Sequence, residues 1–433
     1  MKNLTTIFII LLALVCNAPA TVRAQIEVSA PGQQAVPLAV TQFLPMEGAA
    51  HPELAKEINE VLSWDMDLTG MFNLVDPASF LSDARVLALN SVEIDFAQWR
   101  LLRADYLIKG GYIVQGDQLT LEARLFDVVE RRLLAGRRYT GKLTDARRMA
   151  HSFSDQIMKS LTGETGPFNT RLAFISNRTG HKELYLMDVD GHNPTRITDH
   201  RAIVLNPDFS PRGKELVFTS YKAGNPDLYR KETYSGKEVR ISAQPGLNIS
   251  GRYRPDGREL AVTLSRDGNA ELYLIGTSGS INKRLTDAWG IDSDPSWSPD
   301  GSQIAFVSDR QGNPHVFILD VSSGQVRRLN SSGKYNVTPA WSPKGDRIVF
   351  SRMAGGQFDI FTINPDGSDE RQVTFGGGNK EHPRWSPDGR FIVYSSSARG
   401  KRGIYVMRAD GSGARPVALG GGDNSHPAWS GEW

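Results

Sequence analysis

The stretch Pro295-Ser296-Trp297-Ser298-Pro299-Asp300-Gly301 is one copy of a phrase that recurs through the second half of the sequence. Pro383-Arg384-Trp385-Ser386-Pro387-Asp388-Gly389 repeats it, and Pro339-Ala340-Trp341-Ser342-Pro343-Lys344-Gly345 differs at one position. The aromatic position of the phrase recurs every 44 residues, at Phe209, Tyr253, Trp297, Trp341, Trp385 and Trp429. A fixed period of this length, with strand-like content between the copies, indicates a β-propeller rather than a series of separate domains.

Each repeat is predicted to form one four-stranded antiparallel blade. In the repeat that contains Trp297, we expect an inner strand at 295–298 and a tight turn at 299–301. Three further strands are expected at 303–308, 316–321 and 325–329. The glycines between these strands supply the positive φ angles that tight hairpins require.

The two ends of the repeat region predict how the ring closes. The first strand-rich unit, 171–177, has no Trp-Ser-Pro phrase ahead of it, and no strands follow the phrase around Trp429. If residues 427–430 are the inner strand of the blade that begins at Arg171, six phrases make six complete blades. The C-terminal strand then closes the ring and removes the exposed sheet edges. The propeller is therefore assigned to residues 171–433.

The sequence before the propeller is divided into four segments. Residues 1–24 are typical of a cleavable secretory signal peptide, with Lys2, an apolar run at 7–15, and Val22-Arg23-Ala24 before the cleavage point. Residues 25–35 form an N-terminal arm that breaks at Pro31-Gly32. Residues 36–162 form a small α/β domain, and residues 163–170 have the composition of a linker.

Within the α/β domain, apolar periodicity predicts alternating helices and strands. Helices are expected at 52–65, 80–89 and 96–103, and a last helix is expected to run from an N-cap at Thr144 to Leu161. Strands are expected at 37–44, 72–75 and 106–114, followed by a hairpin of 118–129 and 133–139. The predicted fold class is thus a small N-terminal α/β domain followed by an all-β six-bladed propeller.

Charge and cysteine content exclude several classes of function. Removal of residues 1–24 takes away Lys2 and Arg23, which leaves 48 basic residues against 48 acidic ones. This balance gives no support for binding nucleic acid or an anionic membrane. The one cysteine, Cys16, lies in the predicted signal peptide, so the remaining chain has no disulfide, thiolate nucleophile or cysteine metal site.

No catalytic or cofactor motif is found in the sequence. It has no Gly-x-Ser-x-Gly elbow, His-Glu-x-x-His pair or phosphate-binding glycine loop. Asp188-Val189-Asp190-Gly191 suggests calcium at first sight, but no glutamate ends the loop, so we interpret it as a hairpin turn. The tryptophans of the phrase are expected to pack between blades. No cofactor or metal, and no enzymatic activity, is predicted.

A partner surface is predicted at the loops that lead into the inner strands, near the mouth of the central channel. Antiparallel blades place the Pro-Asp-Gly and Asp-Gly turns on one face and these lead-in loops on the other. His382 and His426 share one repeat position there and are expected to be either solvated loop residues or partner contacts. The positions vary between repeats, as a specific binding surface would. They are Asn248, Ser293, Asp294, Val337, Thr338, Glu381, His382, Ser425 and His426.

The order of signal peptide, α/β domain and six Trp-Ser-Pro-Asp-Gly-type repeats resembles the TolB family of the Tol-Pal system of Gram-negative bacteria. This resemblance implies a periplasmic, monomeric, non-enzymatic adaptor that supports outer-membrane integrity and constriction during cell division, and that colicins exploit. The implied partners are a peptidoglycan-associated lipoprotein of the Pal type at the propeller loops, other outer-membrane proteins, and the C-terminal domain of TolA at the arm. The arm residues are Gln25, Ile26, Glu27, Val28, Ser29 and Ala30.

Two alternatives remain open from the sequence. A propeller can gate a peptidase, but that requires a hydrolase domain for which the repeats leave no room in this sequence. A periplasmic propeller can also bind a small molecule or glycan in its channel, which the sequence does not exclude. The first two repeats also depart from the family pattern, because Phe209 and Tyr253 stand in place of tryptophan.

Overall fold

The computed structural model describes residues 35–431 of the chain. The predicted signal peptide lies outside the described residues, and so does the predicted arm up to residue 34. Within the described range, a small α/β domain is followed by six four-stranded sheets that form the blades of a propeller. The predicted fold class is therefore confirmed.

The α/β domain is built on one mixed sheet. The sheet order is β3-β1-β4-β5-β6, with β2 beside β4. Strand β1 runs parallel to β3 and β4, whereas β4, β5 and β6 are antiparallel. The elements between residues 35 and 170 are β1 Val36–Val40, β2 Leu44–Pro45, α1 Pro52–Thr69, β3 Phe72–Leu74, α2 Phe96–Leu101, β4 Tyr106–Gln115, β5 Gln118–Asp127, β6 Arg132–Lys142 and α3 Ala146–Thr162.

Helices α1 and α3 cover one face of this sheet. Leu54, Ile58 and Leu62 recur at helical spacing on α1, and all three are buried. Their hydrophobic cluster continues into the propeller, where it includes Phe174 and Phe391. The two domains therefore share a core, and burial of this apolar surface stabilises their association.

Two predictions for this domain are wrong. Residues 80–89 do not form a helix but contain a short 3-10 turn, Ser82–Arg85. The backbone carbonyl of Asp83 accepts a hydrogen bond from the Lys109 ammonium at 2.6 Å, which draws the segment into a buried polar contact. Helix α3 begins after Asp145 rather than Thr144, because a 3-10 turn at Leu143–Asp145 delays its start by one residue.

The propeller comprises six antiparallel blades, each with its first strand innermost. Blade 1 contains β7 Arg171–Ser176, β8 Glu183–Asp188 and β9 Thr195–Arg196; blade 2 contains β10 Val204–Phe209, β11 Glu215–Ser220, β12 Asp227–Glu232 and β13 Glu238–Ser242; blade 3 contains β14 Asn248–Tyr253, β15 Glu259–Leu264, β16 Glu271–Gly276 and β17 Ile281–Arg284.

The second half of the ring repeats this plan. Blade 4 contains β18 Asp292–Trp297, β19 Gln303–Ser308, β20 His315–Asp320 and β21 Val326–Arg328; blade 5 contains β22 Asn336–Trp341, β23 Ile348–Ala354, β24 Gln357–Ile363 and β25 Arg371–Gln372; blade 6 contains β26 Lys380–Trp385, β27 Phe391–Ser396, β28 Gly403–Arg408 and β29 Arg415–Ala418. Strand β30, Asn424–Trp429, is the inner strand of blade 1.

The ring is closed by the C-terminal strand, as predicted. Strand β30 pairs with β7, with Asn424 opposite Ser176 and Trp429 opposite Leu172. Beyond the ladder, the backbone N–H of Arg171 donates to the Ser430 hydroxyl at 2.9 Å. Because the two partners are about 250 residues apart in sequence, this pairing completes blade 1 only when the whole ring has formed.

The repeated tryptophans pack between blades, but not equally. Trp297 and Trp385 are buried, and their indole N–H groups donate to the carbonyls of Arg252 and Ala340 in the preceding blades. Trp341 and Trp429 are only half-buried. The expectation of a packing role is therefore confirmed for the first two and holds only in part for the others.

Candidate partner-binding face

The α/β domain lies on the propeller face that carries the Pro-Asp-Gly and Asp-Gly turns, called the turn face below. The guanidinium of Arg408 donates to the carbonyl of Leu68 at 2.9 Å, and Arg415 pairs with Asp67 at 2.7 Å. Closer to the ring axis, Glu164 of the connecting segment pairs with Arg390 at 2.9 Å. These contacts leave the opposite face, which carries the lead-in loops, uncovered by the described part of the α/β domain.

A buried charge cluster joins the α/β domain to the turn face. Nδ1 of His151 lies 2.9 Å from the carboxylate of Asp65, and Nε2 lies 3.5 Å from that of Asp190, whose turn belongs to blade 1. Arg147 also donates to Asp190. Burial alone would lower the pKa of His151, but the two carboxylates outweigh it and raise that pKa to about 10. His151 is therefore a cation at neutral pH and links carboxylates from both domains.

The lead-in face exposes large apolar side chains around the ring. Trp289 is 76% exposed and Phe375 is 74% exposed, although both are large aromatic residues. Five of the six lead-in loops contribute to this set, which comprises Ile203, Trp289, Ile291, Tyr335, Phe375 and Leu419. Exposed apolar side chains gathered on one face, with polar groups between them, are typical of a protein-binding surface.

Beneath this face, the inner strands present a ring of polar side chains at one repeat position. In each strand this residue has a positive φ, between 48° and 56°, and sits in a β-bulge. The six residues are Asn206, Ser250, Asp294, Thr338, His382 and His426. Adjacent members touch: Asn206 donates to the Ser250 hydroxyl at 2.9 Å, and that hydroxyl donates to Asp294 at 2.7 Å.

His382 and His426 form the opposite part of this ring. Their imidazoles are tilted by 32° with centroids 3.8 Å apart. Burial, together with nearby cationic groups, lowers the pKa of His426 to about 3 and holds the pKa of His382 well below its ordinary value. Both imidazoles are therefore neutral at neutral pH, and each can donate or accept hydrogen bonds in the channel.

The predicted site residues lie in the inner strands rather than in the lead-in loops, so that part of the prediction is wrong. The bulge lets each inner strand begin three residues before the position that holds proline in five of the six repeats. Asn248 begins β14, and the others lie in β18, β22, β26 and β30: Ser293, Asp294, Val337, Thr338, Glu381, His382, Ser425 and His426. The expectation of solvated loop histidines is also wrong, because His382 and His426 are half-buried against each other.

The structure divides these residues by their accessibility. Asn248 is buried, and its side chain is bound by Ser242, Gln244 and Gly246. Ser425 is also buried. Glu381 is paired with Arg402 at 2.7 Å. Four predicted residues are brought together in the ring described above: Asp294, Thr338, His382 and His426.

The exposed aromatics of the lead-in loops were not predicted from the sequence. Trp289 and Phe375 lie outside the repeated phrase, in segments of constant length whose residues differ from blade to blade. A large aromatic residue in such a segment could have indicated a binding surface, because the packing of the blades does not require an aromatic residue there. The predicted arm residues 25–30 lie outside the described residues.

Residues 35–431 contain no candidate metal site and no helix that could span a membrane. No group of three or more histidine, cysteine, aspartate or glutamate side chains in that range is arranged to hold a metal ion. None of the helices described is long and apolar enough to cross a bilayer.

Comparison with known structures shows the same fold. A crystal structure of TolB from Acinetobacter baumannii superposes with a TM-score of 0.80, over 92% of this chain and 97% of that one. The identity is 24%, so this likeness concerns the fold.

Two curated relatives are closer in sequence. "Tol-Pal system protein TolB" of Syntrophotalea carbinolica is 59% identical over 205 residues, which is 47% of this chain and 48% of that protein. The protein of the same name from Geobacter sulfurreducens is 48% identical over 188 residues, or 43% of each chain. The chain thus spans about half the length of the curated relatives it matches.

Two family models match this sequence. The TolB amino-terminal domain matches residues 24–134, and the TolB beta propeller domain matches residues 158–432. The second match alone covers more than half of the chain, and the two occur in the order in which the structure places the α/β domain and the propeller. The chain belongs to the TolB family.

Proposed function

We propose that this chain is a non-enzymatic periplasmic adaptor of a Tol-Pal system, which holds a Pal-type lipoprotein on its lead-in face. Curated relatives carry the name of that system. The observation that carries the proposal is the contrast between the two faces. One is occupied by the α/β domain, and the other presents exposed Trp289 and Phe375 around a polar channel mouth.

The composition of the lead-in face suits a protein partner. Aromatic side chains supply most of the binding energy at interfaces when a partner excludes water from them. The polar ring below can accept or donate hydrogen bonds to a partner segment that reaches the channel, because Asp294, His382 and His426 are half-buried rather than sealed. Together they provide an apolar rim and a polar centre.

The second proposed contact is between the N-terminal arm and the C-terminal domain of TolA. A terminal segment ahead of a folded domain can pair as an added strand with a sheet edge of a partner. Deletion of residues 25–34 should abolish capture of a TolA-type protein and leave capture of the Pal-type lipoprotein intact. In this way one chain would connect an inner-membrane protein with a lipoprotein bound to peptidoglycan, and so support the outer membrane during constriction.

The proposal is tested by removing the exposed aromatics of the lead-in face. The double variant Trp289→Ala, Phe375→Ala should weaken binding of the soluble domain of the Pal-type lipoprotein from the same organism by tenfold or more, about 1.4 kcal/mol. Isothermal titration calorimetry measures this change. Tyr234→Ala is the matched control, because Tyr234 is an aromatic residue with 72% exposure in a turn on the opposite face.

Binding that is unchanged in the double variant, or reduced equally in the control, would rule out the lead-in face as the contact surface. A second candidate function is binding of a small molecule or glycan in the channel, which the ring of Asp294, His382 and His426 favours. A thermal-shift screen against periplasmic metabolites and glycans separates the two. A ligand that stabilises the parent chain but not His382→Ala, with no lipoprotein binding, would replace the adaptor proposal.

A further inference from the structure

The first residue of each inner strand is buried, and in four blades its side chain donates to the lead-in loop. Asn248, Asn336 and Asn424 each donate an amide hydrogen to the carbonyl four residues earlier, at 2.8, 3.1 and 3.1 Å. Lys380 does the same with its ammonium group. This bond fixes the end of the lead-in loop against the strand that follows it.

Asp292 occupies this position in blade 4, where it breaks the pattern. An ionised carboxylate accepts hydrogen bonds and has none to donate. Asp292 is fully buried; its Oδ2 accepts from Arg310 at 2.6 Å, whereas its Oδ1 has no hydrogen-bond partner. A buried polar atom without a partner costs about 1–3 kcal/mol, so this oxygen calls for an explanation.

Blade 1 shows what the site looks like with a donor present. There Arg178 reaches the Asn424 side-chain oxygen at 3.2 Å, as Arg310 reaches Asp292, and both arginines are also held by a serine hydroxyl at 3.0 Å. The Asn424 amide then donates to Gly420. At this position the two sites differ by an amide in blade 1 and a carboxyl in blade 4; the preceding blade also places Glu271 beside Asp292, where the equivalent residue beside Asn424 is Gly403.

We propose that Asp292 is a proton-binding site, whose protonated Oδ1 donates to the carbonyl of Ala288 as the asparagine amides do in the sister blades. Loss of the proton removes that bond and loosens the lead-in loop 285–291, which then depends on the Asn269 amide at the carbonyls of Ala288 and Gly290. This loop carries Trp289 and Ile291, so the proton controls how firmly two exposed apolar side chains are presented. The consequence for a partner rests on the proposed function, whereas the proton site itself does not.

The charged groups around Asp292 are consistent with this assignment. Arg310 faces it from the loop after β19, and Glu271 faces it from β16 with its own charge already bound by Thr286 and Ala288. Arg284, on β17, is shared between Glu271 and Asp287, and Asp309 accepts from the backbone of Ile291. Burial raises the pKa of Asp292 to about 6, and the charge of Glu271 adds to this effect. The nearby hydroxyls of Ser308 and Thr286 and the charge of Arg310 oppose it.

The direction of the pH effect follows from this shift. Because the pKa is raised above 3.8, the native state holds the proton more tightly than the unfolded chain does. The stabilisation is fully present below pH 3.8 and is lost as the pH rises through about 6. At neutral pH the loop is therefore held less firmly than in mildly acidic solution.

The test compares two reciprocal substitutions in the purified chain. Asp292→Asn installs a permanent donor and should raise Tm by about 2 °C or more at pH about 7.5, with little change at pH about 5. Asn424→Asp transfers the carboxyl to blade 1 and should lower Tm at the higher pH more than at the lower one. Hydrogen exchange of residues 285–291, corrected for intrinsic rates, should slow in the parent chain on acidification and be independent of pH in Asp292→Asn.

Three results would overturn the proposal. A lower Tm for Asp292→Asn at pH about 7.5 would mean that the ionised carboxylate, paired with Arg310, stabilises the chain more than a hydrogen-bond donor does at this position. Exchange of residues 285–291 that does not respond to pH in the parent chain would remove the link to the loop. A rise in Tm with millimolar calcium chloride, present in the parent chain and absent in Asp292→Asn, would identify the unpaired oxygen as a cation ligand instead.

Discussion

The two faces of the propeller are built in different ways although the same repeats form both. On the turn face, the hairpins after the inner strands bend at glycine. There Asp190 is paired with Arg147 of the α/β domain, and Arg390 is paired with Glu164 of the connecting segment. On the lead-in face, every bulge places a non-glycine residue at positive φ, and the loops expose Trp289 and Phe375.

The difference suggests that the turn face serves stability and the lead-in face serves binding. Positive φ costs little at glycine and more at residues with a Cβ, particularly β-branched ones. On the lead-in face, six non-glycine residues at positive φ, the exposed Trp289 and Phe375 and the unpaired oxygen of Asp292 lie together. Local conflicts of this kind are typical of functional surfaces.

Removal of the closing strand should have the largest effect, because both faces depend on the ring. Deletion of residues 427–433 takes away the second half of β30, including Trp429, so that the ring opens and the edge of β7 is exposed. We expect a sharply lower melting temperature and loss of a single cooperative transition, measured by circular dichroism. An unchanged melting temperature would show that closure by β30 does not stabilise the ring. The two faces could then not be treated as parts of one closed ring.

A smaller effect is expected when the turn face is uncoupled from the α/β domain. Asp190→Asn leaves the charged His151 and Arg147 buried with one carboxylate fewer, which should cost about 3 kcal/mol in the free energy of unfolding by urea. The matched control is Asp410→Asn in the equivalent turn of blade 6, where the carboxylate is exposed and bonds only Ser412. That control should change stability by about 0.5 kcal/mol or less. Equal effects of the two substitutions would contradict the role assigned to the cluster.

Much of the fold could be predicted from the sequence because the repeat constrains it. The 44-residue period fixes the blade, and the unmatched ends at Arg171 and Trp429 fix the closure. The helix expected at 80–89 failed for a physical reason, since the contact between Asp83 and Lys109 joins residues 26 apart and is invisible to local periodicity.

The site could be predicted only in part. Alignment of repeats located the channel position of His382 and His426 correctly, but local pattern did not reveal the bulge that places it inside a strand. The cluster around His151 depends on Asp65 and Asp190, which come from different domains, so no sequence spacing identifies it. Asp292 stands out only in the structure, which shows that the equivalent residues of four other blades are buried hydrogen-bond donors.

The smallest expected effect tests the strain of the lead-in face. Thr338 is β-branched and has a φ of 52°, whereas Asn206 occupies the equivalent position with the same φ. Asparagine tolerates this region better, so Thr338→Asn should stabilise the chain by up to about 1 kcal/mol, even with loss of the contact to Ser351. The reciprocal variant Asn206→Thr should destabilise it by a similar amount. Urea unfolding measures both, and effects of the opposite sign would show that the bulge is not strained.

We propose that the uncovered lead-in face binds the partner, whereas the turn face holds the two domains together. Hydrogen exchange of the chain, with and without the soluble domain of the Pal-type lipoprotein, tests this division. We expect protection to appear in lead-in loops 285–291 and 373–379, and no change in the turn around Asp190. Protection confined to the turn face or the α/β domain would show that the partner binds elsewhere.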